Sequence, residues 1–394
     1  MSIDWNYAAQ TTVTNALFSV PEVGTILSTL TSILWPSSGE DVWGEIKDQV
    51  EAVMDQKISD LVYQDVQESL QGLQNVVNDY LEVVDSGDTE VISERWNDAN
   101  ADFSQQLPSF QASGYEVLLL PLFAQYVNLY QSLLRDGMMK GASWGWNDDV
   151  VSSVSSDMTQ NTLQFMQWVD TWYNSGYQSI VSTTKSDAHE CEPFKSVNAW
   201  VRTMTLGVRD HRWLWGYVSE AAHGLGPFTV YLSREIYTDP KGTCDNSGNI
   251  VIPAPKPTKF PTEIKVWSGS MVDGAQVSYP AGGGPNHVTT TARMGDQNGG
   301  SLNGQFDVSS NPVIKAGGRS GTALNALRFV FQNGKDTSWI GGSGGGGFLF
   351  SYSGHQLSSI WINGESNYYK CADCVVYGFK YTPPTTISGT YVEV

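Results

Sequence analysis

Cysteine is scarce. Four residues in 394 exclude a scaffold built on disulfides in place of a core. Basic residues are few as well, 22 against 41 acidic, and a net charge of −19 repels phosphate backbones, so no nucleic-acid partner is expected. No stretch holds 20 consecutive apolar residues, which excludes a constitutive membrane span. The opening Met1-Ser2-Ile3-Asp4-Trp5 lacks the basic and apolar regions of a secretory leader, so the expected product is soluble or stored inside the producing cell. Only five histidines occur, none spaced i, i+4 on a helical pattern, and no catalytic, cofactor-binding or metal constellation is expected. Apolar residues, at 40% against 16% charged, are plentiful enough for real cores.

The chain changes character near Pro240. Residues 1–239 carry 11 Lys/Arg and 32 Asp/Glu, a net of −21, while residues 240–394 carry 11 and 9, a net of +2. Of the 39 glycines, 14 precede residue 240 and 25 follow it. Long 3.6-residue periodicity with little glycine predicts helices; short alternating runs with much glycine predict strands and tight turns. Ile252-Pro253-Ala254-Pro255-Lys256-Pro257 reads as an extended connector, since proline removes donors and disfavours helix in its neighbours. The expected organisation is an all-α domain over 1–240, a Pro-rich linker over 241–260 and an all-β domain over 261–394.

Three amphipathic segments precede one of a different kind. Residues 41–62 place Val42, Ile46, Val50, Val53, Ile58 and Leu61 on one side, and 64–84 continue with Leu70, Leu73, Val77, Tyr80 and Leu81. Residues 90–110 bury Ile92, Trp96, Ala99, Phe103 and Leu107, and their other side carries Glu90, Glu94, Asp98 and Asp102, each four residues from the next. After a turn at Ser113-Gly114, residues 117–134 contain no charge, and Arg135-Asp136 closes the run. Eighteen helical residues span about 27 Å, close to the hydrocarbon thickness of a bilayer. Gln125, Asn128 and Ser132 share one side of it. Periodicity leaves two readings open: the central helix of a soluble bundle, or such a helix that also leaves the bundle with its acidic neighbour and enters a membrane.

Residues from about 22 to 240 resemble the N-terminal domain of the three-domain insecticidal δ-endotoxins, the Cry toxins. The likeness lies in ordered blocks: Trp35-Pro36-Ser37-Ser38-Gly39, then Trp43 and 49–58, then Leu70-Gln71-Gly72-Leu73. Leu119-Leu120-Pro121-Leu122-Phe123-Ala124-Gln125, Asn128-Leu129 and Leu133-Leu134-Arg135-Asp136 resemble the family's central helix. Trp172-Tyr173-Asn174-Ser175-Gly176 and Leu232-Ser233-Arg234-Glu235-Ile236-Tyr237-Thr238-Asp239-Pro240 follow in the family's order. The resemblance implies a bundle of about seven helices around an enclosed one. It also implies cation-permeable pores led into target membranes by the fourth and fifth helices, here 90–110 and 115–135. On that basis Glu90, Glu94, Asp98 and Asp102 are expected to line the pore. Leu119, Pro121, Phe123, Gln125, Asn128, Leu133 and Arg135 belong to the inserting helix, with Arg135 and Asp136 as a structural pair at its end. A single hairpin encloses no channel, so a homo-oligomer on target-cell lipid is expected.

Only about 150 residues follow the bundle. Within them, Glu263-Ile264-Lys265-Val266-Trp267-Ser268-Gly269 leading into Met271-Val272-Asp273-Gly274-Ala275-Gln276-Val277 resembles a jacalin-related lectin, a β-prism. Ala323-Leu324-Asn325-Ala326-Leu327-Arg328-Phe329 resembles a second face, and Phe348-Leu349-Phe350 with Cys374 to Tyr381 a third. Such lectins hold sugars on a glycine-rich loop and an aspartate in a Gly-x-x-x-Asp-like loop. Met294-Gly295-Asp296-Gln297-Asn298-Gly299-Gly300 resembles the former; after Gly364 the expected aspartate is absent. Gly295, Asp296, Gly299, His287, Trp339, Tyr368 and Tyr369 are therefore the candidates for a receptor protein or glycan.

Two motifs mislead. Gly341-Gly342-Ser343-Gly344-Gly345 satisfies G-x-S-x-G but precedes a strand, where a hydrolase needs a strand-to-helix elbow. Cys371-Ala372-Asp373-Cys374 lacks two further zinc ligands nearby, with Cys191 and Cys244 distant in sequence, so a disulfide or a pair of strand cysteines is expected. The combined expectation is a non-enzymatic, pore-forming insecticidal toxin acting at a gut-cell surface. The rivals are a defence lectin with a helical domain that never inserts, and a glycosidase built on the acidic half.

Overall fold

The computed structural model describes residues 4–18, 22–184, 191–244, 250, 252, 255–365, 371–387 and 389–394. The chain divides into two compact units: Met1–Ser179, Thr203–Tyr231 and Pro384–Val394 in one, Ile180–Arg202 and Leu232–Pro383 in the other.

The helices are α1 (Trp5–Phe18), α2 (Thr25–Leu34), α3 (Val42–Met54), α4 (Asp60–Val83) and α5 (Thr89–Gln106), which runs into a 3-10 turn at Leu107–Gln111. After them come α6 (Glu116–Lys140), α7 (Asp148–Thr183), α8 (Glu192–Met204) and α9 (Asp210–Ala222). Carboxylate and hydroxyl caps start three of them: Asp41 accepts from Gly44 N, Ser59 from Val62 N and Asp88 from Val91 N. The single helix expected over 41–62 is in fact two. Asp55 turns the chain at φ 51°, and Leu61, expected on the apolar stripe, is 70% exposed because the break rotates it off that face.

In the first unit, α6 is the enclosed helix. Every residue from Leu118 to Gly137 is buried. Phe123 packs on Phe165 of α7 at 5.6 Å between ring centroids, Phe103 of α5 stacks on Tyr130 at 5.0 Å, and Trp96 donates to the Leu133 carbonyl at 2.8 Å. Each fully buried Leu or Phe there contributes about 1.5–3 kcal/mol.

The strands begin with β1 (Phe228–Tyr231), β2 (Glu235–Tyr237), β3 (Lys241–Gly242), β4 (Glu263–Ser268) and β5 (Val272–Ser278). Then come β6 (Met294–Gly295), β7 (Ser301–Asp307), β8 (Val313–Ser320), β9 (Leu324–Phe331) and β10 (Ile340–Gly341). The last four are β11 (Gly346–Phe350), β12 (His355–Glu365), β13 (Ala372–Tyr381) and β14 (Thr390–Glu393). β14 pairs in parallel with β1, so the described C-terminal strand belongs to the helical unit.

The second unit is a prism of three sheets: β6-β5-β4-β7, β10-β9-β8-β11, and β12-β13-β2 with β3 also on β13. They share one core, where Phe329 of β9 meets Phe306 of β7 and Tyr377 of β13, each at 6.4 Å between centroids. All three sheets repeat one device. A two-residue edge strand ending in Gly242, Gly295 or Gly341 pairs with β13, β5 or β9. The next residue donates to the carbonyl of Asp373, Asp273 or Asn325, at 3.1, 2.8 and 2.8 Å. These glycines have φ of 147°, 90° and 123°, and a Cβ on any of them would lie 2.1–2.4 Å from that same carbonyl oxygen, so only glycine fits. In the expected linker, Pro253 and Ala254 lie outside the described residues; the Pro257 carbonyl accepts from Lys380 Nζ at 3.2 Å.

Candidate functional site

The acidic stripe lies on α5. Glu90, Glu94 and Asp98 are exposed, and Asp98 pairs with Arg95 at 3.5 Å. Asp102 is half-buried and faces α4, beside Gly72, where a methyl group would sit 3.4 Å from its Oδ2. Three of the four carboxylates are therefore solvated, and the fourth is turned into a helix contact.

On α6, Leu119, Phe123 and Leu133 are fully sheathed, and Pro121 is buried within the helix. The polar side is not idle. Asn128 Nδ2 donates to Gln125 Oε1 at 3.0 Å and lies 3.0 Å from His211 Nδ1 of α9. Trp215 Nε1 donates to Asn128 Oδ1 at 2.9 Å, and His211 Nε2 lies 3.0 Å from Asn6 Oδ1 of α1. A neutral imidazole accepting from Asn128 at Nδ1 can donate to Asn6 at Nε2, and Gln125 Nε2 lies 3.1 Å from the same Nε2. Gln131 donates to Thr162 of α7 at 3.0 Å. Arg135 and Asp136 form the expected pair at 3.4 Å, and Asp136 also accepts from Gly24 N at 2.8 Å and Tyr80 at 3.2 Å. The polar side of the uncharged run thus reaches α7 and α9, and α1 through His211, while Asp136 at its end holds Gly24 before α2 and Tyr80 of α4.

Complete burial pushes the His211 pKa down from 6.5 to about 3. The unfolded chain takes up this proton below about pH 6.5, whereas the folded one refuses it until about pH 3, so stability falls as pH drops across that window. Thermal melts from pH 7 to 3.5 should show this loss, amounting to a few kcal/mol. His211→Gln should flatten the slope; an unchanged slope would assign the acid sensitivity elsewhere.

The receptor candidates of the prism fall into separate places. Gly295, Asp296 and Gly299 gather at one end of β5, where Asp296 N bonds to the Asp273 carbonyl. His287, exposed at φ 59°, lies in the turn that follows the other end of β5. Trp339 is 38% exposed, between the guanidinium groups of Arg319 at 4.5 Å and Arg328 at 5.3 Å. Tyr368 and Tyr369 lie outside the described residues.

Sequence reasoning did not single out Asp273, which the fold brings to this loop; Gly269-Ser270-Met271-Val272-Asp273 has a Gly-x-x-x-Asp spacing. A methyl group on Gly299 would lie 2.6 Å from Asp273 Oδ1 and 2.0 Å from Asp296 Oδ2, so both carboxylates flank the glycine loop. Burial and the neighbouring Asp296 charge raise the Asp273 pKa, opposed by Arg293. Gly341-Gly342-Ser343-Gly344-Gly345 joins β10 to β11, with no helix following. Of the two arrangements expected for Cys371 and Cys374, the structure shows the pair of strand cysteines, buried thiols at the start of β13, and the disulfide joins Cys191 to Cys244 instead.

A helical unit sheathing one long apolar helix, with a three-sheet prism in the same chain, defines the class of the δ-endotoxins. The delta endotoxin N-terminal domain family matches residues 12–218, more than half of the chain, and the chain belongs to that family. Over 223 residues it is 31% identical to pesticidal crystal protein Cry26Aa of Bacillus thuringiensis subsp. finitimus, covering 55% of this chain and 19% of that protein. Over 230 residues it is 30% identical to pesticidal crystal protein Cry1Id of Bacillus thuringiensis, covering 56% and 31%. The match therefore spans less than a third of either relative. Among solved structures, the insecticidal crystal protein Cry7Ca1 of Bacillus thuringiensis superposes with a TM-score of 0.83 at 18% identity, over 99% of this chain and 78% of that one. PirB superposes with a TM-score of 0.76 at 14% identity, over 96% and 94%. At these identities the likeness concerns the fold.

Proposed function

We propose that this chain is a pore-forming insecticidal toxin whose prism finds a receptor protein or glycan on a gut-cell membrane and whose α5–α6 hairpin then enters the lipid. The observation that carries the reading is α6. Among the described residues it is the one helix long and apolar enough to cross a membrane, and it is kept soluble by burial of 94% of its most apolar window. Transfer to lipid exchanges one apolar setting for another of similar gain, about 25 cal/mol per Å². Glu90, Glu94 and Asp98, already solvated, suit the wet side of a hairpin in a homo-oligomeric, cation-preferring channel. The glycine loop at Asp273 and Asp296, together with the Arg-flanked Trp339, offers the receptor contacts.

Planar-bilayer recordings test this. Purified chain should produce stepwise conductance, and Glu94→Gln/Asp98→Asn should move the reversal potential in a salt gradient toward zero. Conductance with an unmoved potential would take these two residues out of the lumen. Agglutination of glycan-bearing cells without any conductance would favour the lectin rival.

A further inference from the structure

The structure places a third sulfur against the one disulfide of the described residues. The Sγ atoms of Cys191, Cys244 and Cys374 all lie within 4.8 Å of one another, and Cys191–Cys244 is bonded across 5.8 Å between Cα atoms. Cys374 is fully buried, in a cluster with Tyr237, Trp361 and Val376. The backbone keeps Cys244 near this strand: Cys374 pairs with Gly242, and Thr243 N donates to the Asp373 carbonyl at 3.1 Å, so Cys244 leaves β3 on a diagonal from Cys374. Cys244 is the next residue along.

We propose that this trio is a two-position disulfide, in which the bridge migrates from Cys191–Cys244 to Cys244–Cys374. Cys374 gives up its proton and its thiolate attacks Cys244 Sγ. A Cys244–Cys374 bond forms as the Cys191–Cys244 bond breaks, and Cys191 departs as a thiolate that takes up the proton. One thiol and one disulfide stand on each side, so no oxidant or reductant is consumed. Both ends of the new bridge sit on β13 and on the segment leaving β3, whose ladder stays in place. The change falls on Cys191, which immediately precedes α8. In the first position the bridge ties that end of α8 to β3. In the second, α8 loses its covalent tie but keeps Phe194 packed against the Tyr237, Trp361 and Val376 cluster, Asn198 Nδ2 on the Tyr237 and Thr238 carbonyls, each at 3.1 Å, and Arg202 on Asp239 at 2.9 Å. The switch thus loosens the chain entering α8 without cutting it.

The thiolate and not the thiol is the attacking species, so the exchange depends on pH. Below the thiol pKa the exchange rate should rise about tenfold per pH unit, following the thiolate fraction. The test uses the full chain, incubated without reductant at pH 7, 8 and 9, quenched by acid, alkylated and mapped by mass spectrometry under non-reducing conditions. The expected result is a Cys244–Cys374 peptide that grows with pH while Cys191 becomes alkylated in step. Cys371→Ser should leave this unchanged and Cys374→Ser should abolish it. Should Cys374→Ser misfold, Cys191→Ser serves instead: it should form the Cys244–Cys374 bridge on mild oxidation. A wild-type map that keeps Cys191–Cys244 alone at every pH, or a Cys191→Ser protein in which Cys244 and Cys374 both alkylate after oxidation, overturns the proposal. Neither readout depends on pore formation.

Discussion

Oxidising a Ser69→Cys/Ser109→Cys variant should suppress dye release from lipid vesicles roughly 30-fold or more, because a native-like disulfide adds about 2–4 kcal/mol to any opening that separates its ends. The two hydroxyls lie 2.9 Å apart, Ser69 on α4 and Ser109 in the 3-10 turn after α5. Sulfur replaces oxygen there with little change of shape, and the link fastens the α5–α6 turn to a helix outside the proposed hairpin. Reduction should restore release. The wild-type chain, treated with the same reductant, controls for the natural disulfide. If the oxidised variant leaks dye as fast as the reduced one, the α5–α6 hairpin does not leave α4, and the insertion reading fails at its first step.

Asn128→Leu is expected to be the most damaging single change to the helical unit, by about 3–5 kcal/mol, despite adding apolar volume to an apolar helix. Asn128 is 2% exposed and serves three buried partners: the Trp215 indole N–H, the His211 imidazole and the Gln125 carbonyl oxygen. Leucine removes the hydrogen bond each of the three makes to Asn128, at the Trp215 N–H, His211 Nδ1 and Gln125 Oε1, and a buried polar atom without its partner costs about 1–3 kcal/mol. For a unit of this size that corresponds to a melting point lower by roughly 6–15 °C. Leu129→Met, one residue on and fully buried, should cost less than about 1.5 kcal/mol. Equal losses for the two variants would show that packing volume, not the polar network, holds α6 in place. Such a network would suit the proposed insertion, in which α6 is held in its bundle and then leaves it. Hydrogen bonds specify one arrangement by direction, whereas apolar contact is interchangeable with lipid.

Much of this molecule is legible in one dimension, for identifiable reasons. The α-to-β division shows in charge and glycine because helices and strands use residues differently along the chain. The enclosure of α6 follows from residues 117–134, since no surface helix is apolar all round. The boundary at Asp55 was not legible: the apolar positions on either side keep a helical spacing through a break that only the left-handed residue creates. The glycine loop at Gly295 was recognisable by composition. That Asp273 lies beside this loop was not legible, because the contact is made by the fold and not by local spacing.

What the sequence determined by itself is whatever depends on neighbours within a few residues: the helical stripes, the long uncharged run, the glycine-rich turns of the β half and the family they belong to. Tertiary structure alone decided what those segments meet. His211 is 83 residues from Asn128, Cys374 is 130 from Cys244, and β14 at the described C-terminal end pairs with β1 of the helical unit. Periodicity names the face a side chain occupies, but the partner on the other side of that face is set by how the whole chain closes, and no local pattern encodes it.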